Sequence, residues 1–263
     1  MKLTIYTADA FTDKPFGGNP AAVCITEKPL SEELMKNIAM EMNLSETAYL
    51  VKKDKGFRLR WFTPSAEVDL CGHATLASSH ILFETSICSK DEPINFHTKS
   101  GILTSVYKNG AIEMDFPAIE QNPIECPDKL ETALGAKPIY TGMTKWNYLV
   151  ELENEAAIRS VKPDFKMLES LPGWGTIITA KASMDGYDFV SRFFAPEKGV
   201  PEDPVTGSAH CALGPYWQKR LGKNEFKAYQ ASQRGGSLGV RVEGDRVFLL
   251  GKAVTVLKAE MEV

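Results

Sequence analysis

The stretch Asp203-Pro-Val-Thr-Gly-Ser-Ala-His210 has a partner earlier in the chain, Asp69-Leu-Cys-Gly-His-Ala74, and the pair sets the expected organisation. The likeness begins upstream of each acid. Phe62-Thr-Pro64 precedes Asp69 and Gly72-His73-Ala74, and Phe194-Ala-Pro196 precedes Asp203 and Gly207-Ser208-Ala209. The order Phe-x-Pro, Asp, Gly-polar-Ala therefore occurs twice, with proline-to-glycine spacings of 8 and 11 residues. Two like stretches imply two like halves.

Each glycine is followed by an amphipathic or largely apolar run, 74–83 and 209–221, that reads as a helix, with Gly214-Pro215 expected to kink the second. Glycine at a helix start lets an anion approach unpaired backbone N–H groups at the positive end of the dipole. Two such ends facing one cleft would grip a carboxylate. The alternative reading of each copy is that the Asp or Ser caps its helix and the glycine turns the chain.

Working outward, Lys2 to Ala8 alternates as a strand, Phe16-Gly-Gly-Asn-Pro20 turns, and Ala21 to Ile25 is a second strand. Ser31 is the expected cap of a helix with Glu32 and Glu33 in its first turn, an apolar stripe at Leu34, Ile38 and Met42, and an end near Asn43. A polar turn, Asn43 to Thr47, then enters a strand at Ala48 to Val51. Glu46 at that junction is either a solvated turn residue or a partly desolvated carboxylate suited to moving protons. Phe57 to Phe62 alternates as a further strand. Tyr107-Lys-Asn-Gly110 and Glu243-Gly-Asp245 each mark a hairpin, so both halves run strand, helix, hairpin. The proline-rich segment 117–127 is the expected joint, giving domains 1–117 and 118–263.

The chain has 263 residues, of which 43% are apolar and 24% charged, and a formal net charge of -4. Such a chain buries roughly 70 to 75% of its unfolded surface, so core size is no constraint. Its Lys and Arg residues are scattered, which disfavours nucleic acid as a partner. Five widely spaced cysteines without a C-x-x-C pair predict reduced thiols in a cytosol. The first ten residues alternate rather than forming the apolar core of a signal peptide, and no run approaches the ~20 apolar residues of a membrane span, so a cytoplasmic protein with no membrane association is expected. Cys71, His73 and Asp69 are close in sequence, but no second cluster gives zinc spacing, and no metal is expected. Neither a dinucleotide nor an ATP motif is present, so no cofactor is expected. His80, His97 and His210 read as structural, and the four tryptophans as scattered core residues.

Taken together, Asp9-Ala-Phe11, Gly18-Asn-Pro20, Ser45-Glu-Thr47, Cys71-Gly-His-Ala-Thr75 and Asp203-Pro-Val-Thr-Gly-Ser208 resemble the phenazine biosynthesis PhzF-like family, in order and over nearly the whole chain. The resemblance implies the diaminopimelate epimerase-like α+β fold: two similar domains, each a curved mixed β-sheet wrapped around a central helix, with the active site in the cleft between them. It implies Glu46, His73 and Asp203 as catalytic residues and Asn19, Gly72, Gly207 and Ser208 as substrate-binding residues. The implied activity is a cofactor-independent isomerase acting on a small carboxylate, and the family suggests a homodimer. Glu46 would shuttle the proton, Gly72, His73, Gly207 and Ser208 would bind the carboxylate or stabilise the enolate, and Asp203 would orient the shuttle. The epimerases of this fold use two thiols. Here Cys71 precedes Gly72, but Thr206 stands before Gly207, and a threonine hydroxyl does not ionise usefully near neutral pH. An amino-acid racemase or epimerase using Glu46 or Cys71 with another base, and a non-catalytic binding or scaffold protein, remain as alternatives.

Overall fold

A computed structural model describes residues 1–263. In chain order the first elements are β1 (Lys2–Ala10), β2 (Asn19–Thr26), α1 (Glu32–Met42), β3 (Glu46–Lys53), β4 (Gly56–Phe62), β5 (Glu67–Val68), α2 (Gly72–Glu84), β6 (Ile94–Thr98), β7 (Gly101–Lys108) and β8 (Ala111–Pro117). Then follow β9 (Asn122–Pro123), α3 (Asp128–Leu134), β10 (Tyr140–Met143), β11 (Asn147–Glu151), α4 (Glu155–Ser160), α5 (Phe165–Glu169), β12 (Gly175–Lys181), β13 (Phe189–Ala195) and β14 (Val200–Asp203). The last are α6 (Gly207–Leu221), β15 (Glu225–Gln230), β16 (Gly236–Glu243), β17 (Arg246–Gly251) and β18 (Ala253–Glu262).

Contacts divide the chain into one unit of Met1–Phe116 with Leu249–Val263 and a second of Pro117–Phe248. The break after residue 116 falls beside the expected joint, but a simple division into 1–117 and 118–263 misassigns the C-terminal segment. The reason is strand pairing: β18 lies antiparallel to β1 from Lys2↔Glu262 to Ala10↔Ala253.

The pairing order is the same in both units. In the first, β1 is antiparallel to β2, β2 parallel to β3, β3 antiparallel to β4, β4 parallel to β6, and β6, β7 and β8 follow antiparallel. In the second, β10, β11, β12, β13, β15 and β16 repeat those directions. The short β5 beside β4 corresponds to β14 beside β13, and each leads into a long helix, α2 or α6. The repeated motif thus reports a repeated fold, an α+β mixed sheet on a central helix.

The central helix of the first unit is buried nearly all round, from His73 to Ser79 and from Ile81 to Phe83, and it packs against β1, β2, β3 and β18. Its hydroxyls are satisfied within the helix: Thr75, Ser78 and Ser79 donate to the carbonyls of Cys71, Ala74 and Thr75 at 2.6 to 2.8 Å. The other helix, α6, continues through Pro215 as far as Leu221. Proline removes the N–H that would have reached Cys211, and the Ile119 N–H takes that carbonyl instead at 3.0 Å. Next to it, a Cβ on Gly214 would lie 3.0 Å from Val242 and 3.1 Å from Val240, so glycine lets the helix sit close on β16.

Local signals act as expected at several ends. The Ser31 hydroxyl accepts the Leu34 N–H to cap α1, and Asn43 closes it at φ 49°. Asn109 and Gly110, both at positive φ, turn β7 into β8. The tryptophans divide. Trp61 and Trp217 are core residues, whereas Trp146 and Trp174 stack on each other with centroids 5.3 Å apart, and Trp174 is 48% exposed. Gly173 at φ 100° makes the turn that brings the Trp174 N–H onto the Trp146 carbonyl, a contact between residues far apart in sequence.

Candidate active site

Glu46 is the first residue of β3 rather than a turn residue, and its register partner on the parallel β2 is Ala21. Asn19 opens β2 and is fully buried. It is placed by Gly18 at φ 62°, where a Cβ would lie 2.1 Å from the Ala10 carbonyl oxygen, so no side chain is tolerated there. Cys71 is the N-cap residue of α2, with no side-chain bond closing the helix, and Gly72 and His73 form its first turn.

These elements bring Asn19, Glu46, Cys71, Gly72 and His73 together. His73 Nε2 stands 3.1 Å from Glu46 Oε2, with side-chain exposures of 6% and 18%. On the other ring nitrogen, Nδ1 is 3.2 Å from Asn19 Nδ2 and 3.5 Å from Cys71 Sγ. The Asn19 side-chain amide thus meets Nδ1, while Nε2 faces Glu46. The Glu46–His73 approach is short in distance but lacks hydrogen-bond alignment, so Glu46 Oε2 and His73 Nε2 are both buried without a hydrogen bond. Burial opposes charging the imidazole, but the adjoining Cys71 and Glu46 outweigh it and hold the His73 pKa well above its ordinary value. The Cys71 thiol is itself pushed up by burial and then by Glu46. A neutral thiol carries no charge with which to stabilise an imidazolium, so Glu46 is the group that does so.

In the second unit, Asp203 ends β14 and Thr206 is the N-cap residue of α6, again without a side-chain cap. The Thr206 hydroxyl donates to Asp203 Oδ2 at 2.5 Å. Gly207 is buried at the helix start and Ser208 is exposed beside it. Gln230, fully buried, fastens this loop: its Oε1 accepts the Thr206 N–H at 2.8 Å, and its Nε2 donates to the Asp203 carbonyl at 2.7 Å and to the Thr206 hydroxyl at 3.2 Å. Sequence reasoning missed Gln230. The signal was present, because β15 buries Phe226, Ala228 and Gln230 in alternation, and a glutamine in that inward row needs polar partners.

Other candidates separate clearly. Asp69 is exposed and does not join Cys71 and His73; Glu46 does, and the Glu46, Cys71 and His73 ligand atoms lie within 4.8 Å of one another. Buried His210 bonds the Thr206 carbonyl at 2.8 Å, and burial lowers its pKa to about 4, so it is a neutral structural residue. All five cysteines are free.

Registers within each unit identify the counterparts of the site residues. Thr47 pairs with Phe62, and Thr176 pairs with Phe194. Since Phe62 and Phe194 open the two Phe-x-Pro motifs, Glu46 corresponds to Gly175. A Cβ on Gly175 would lie 2.6 Å from the Phe193 ring, so that position holds no side chain. Cys71 likewise corresponds to Thr206.

The family model described as phenazine biosynthesis-like protein, PhzC-PhzF, matches residues 8–259. The chain belongs to the PhzC-PhzF family. It is 53% identical over 263 residues to a protein of Halalkalibacterium halodurans named an uncharacterized isomerase, with 99% of each chain covered. The crystal structure of a PhzF family protein from Enterococcus faecalis superposes with a TM-score of 0.96 at 43% identity, covering 100% of both chains. These relatives place this PhzC-PhzF member among isomerases. A hydroxyproline epimerase from Agrobacterium vitis shares the fold at a TM-score of 0.66 and 9% identity, covering 98% of this chain and 92% of its own. The fold is thus the diaminopimelate epimerase-like one. No helix is long and apolar enough to cross a membrane.

Proposed function

We propose that this PhzC-PhzF member is a cofactor-independent isomerase that moves a proton within a small carboxylic acid, with Glu46 removing and returning it. The observation that carries this reading is the buried Glu46 Oε2 and His73 Nε2, 3.1 Å apart and lacking hydrogen bonds. Charged groups held this close but out of hydrogen-bond alignment in a protein interior keep bonding capacity to spare, as is expected where a ligand completes the pairing. The Glu46 carboxylate takes a proton from a carbon next to the substrate carboxyl or its conjugated system. The electron pair passes into an enolate, held by His73 and the start of α2, and the proton is then delivered to another carbon. Asp203, Gly207 and Ser208 belong to the same proposal, as groups that orient the shuttle and bind the carboxylate.

A racemase working from two faces needs a second base. The counterpart of Glu46 is Gly175 and that of Cys71 is Thr206, neither of which ionises, and this favours one shuttling group. Cytoplasmic location with reduced thiols and a homodimeric assembly complete the proposal. The test is proton exchange in deuterated water across a panel of small carboxylic and amino acids, followed by NMR beside Glu46→Gln. Exchange at a substrate C–H that disappears in the variant is expected. Exchange undiminished in Glu46→Gln would overturn the assignment, deuterium entry with loss of chirality would favour a racemase, and stoichiometric binding without exchange would favour a scaffold.

A further inference from the structure

We infer that Glu46, Cys71 and His73 form a zinc site, and that zinc held there blocks the proton shuttle. The blocking rests on the function proposed above; the binding does not. A carboxylate oxygen, a thiol sulfur and an imidazole nitrogen are the donor types zinc takes, and here one atom of each lies within 4.8 Å of the other two. Bonds of about 2.0 to 2.3 Å in a tetrahedral arrangement separate ligand atoms by roughly 3.3 to 3.8 Å. Glu46 Oε2 stands 3.1 Å from His73 Nε2, near that range, while Cys71 Sγ stands 3.5 Å from the other ring nitrogen, Nδ1. Because the ring offers a single nitrogen to one ion, the remaining donor closes on it by a side-chain rotation.

A second observation points to a ligand. His73 is 5% exposed, and its Nε2, like Glu46 Oε2, is buried with no hydrogen bond. An ion between these atoms and the sulfur satisfies both. Thiolate with imidazole selects zinc over magnesium or calcium, which prefer all-oxygen shells. On binding, the Cys71 thiol and the protonated His73 ring each give a proton to solvent, and the sulfur and the freed ring nitrogen each direct a lone pair at the ion; no electron is transferred. Three protein ligands leave a fourth position for water. The Glu46 lone pair, directed at the ion, is no longer free to accept a proton from carbon.

The site is tested by adding Co²⁺, a coloured stand-in for zinc, to the intact metal-free protein. A thiolate-to-cobalt charge-transfer band saturating at one equivalent is expected, bleached by Zn²⁺, absent in Cys71→Ser and in Cys71→Ala, and formed at least tenfold more weakly in Glu46→Gln. Circular dichroism melts of both cysteine variants establish that they are folded. No band at one equivalent, or a band that survives in the folded cysteine variants, overturns the site. The second arm measures deuterium exchange: Zn²⁺ should suppress it and a chelator restore it. Exchange that persists once zinc has fully bleached the cobalt band overturns the blocking and, with it, the role of Glu46, while the metal site stands.

Discussion

His73 is the residue whose setting makes the sharpest demand on pH. Its folded pKa is raised above the ordinary imidazole value, so the stability it contributes is fully present below about pH 6.5 and is lost as pH rises through the raised value. The melting temperature of the wild type minus that of His73→Gln should therefore be largest near pH 6 and shrink on the alkaline side; a flat difference would refute the charged pairing. Gln230 acts one step back, as a positioning residue. Gln230→Leu strands the Thr206 N–H and should cost about 1–3 kcal/mol in urea unfolding. It should also lower kcat/KM about tenfold with an altered pH profile, whereas a purely structural role would leave the profile of the folded fraction unchanged. Glu46 and His73 were legible as candidates because their motifs are local. Their meeting with Cys71 was not, since Glu46 and Cys71 come together through strand register and helix placement rather than spacing.

Among elements, the ends were read best where one residue's chemistry decides them. Ser31 and Asn43 bound α1, and Asn109-Gly110 forms its hairpin, each through backbone preferences a sequence displays directly. The start of β3 was read two residues late, because Glu46 and Thr47 look like turn residues until pairing with β2 draws them into the sheet. Pro215 was expected to kink α6, and the helix continues because the orphaned Cys211 carbonyl found Ile119, a partner far away in the chain. The turn before β2 depends on Gly18. Gly18→Ala places a Cβ against the Ala10 carbonyl at positive φ, and should cost on the order of 1–3 kcal/mol while displacing Asn19 from His73. A shift of the urea midpoint together with a changed His73 imidazole resonance would verify it; an unchanged midpoint would refute it.

At the level of the whole molecule, the two-halves organisation was visible because the repeated Phe-x-Pro, Asp and Gly-polar-Ala signals sit at equivalent places in two copies of one strand order. The destination of the last strand was not visible, since an alternating strand does not name its neighbour. Removing residues 253–263 should strip β1 of its β18 partner and expose the first unit, including the amides of α2, to hydrogen exchange, while the amides of β12 and β13 stay protected. Equal loss of protection in both sets would refute that assignment.

The return of β18 also orders events on the ribosome. Every residue of 117–248 emerges before the strand that completes the sheet begun at Lys2. During that interval β1 presents an unpaired edge of the kind that templates aggregation, so slow translation after residue 248 prolongs the nascent chain's need for a chaperone.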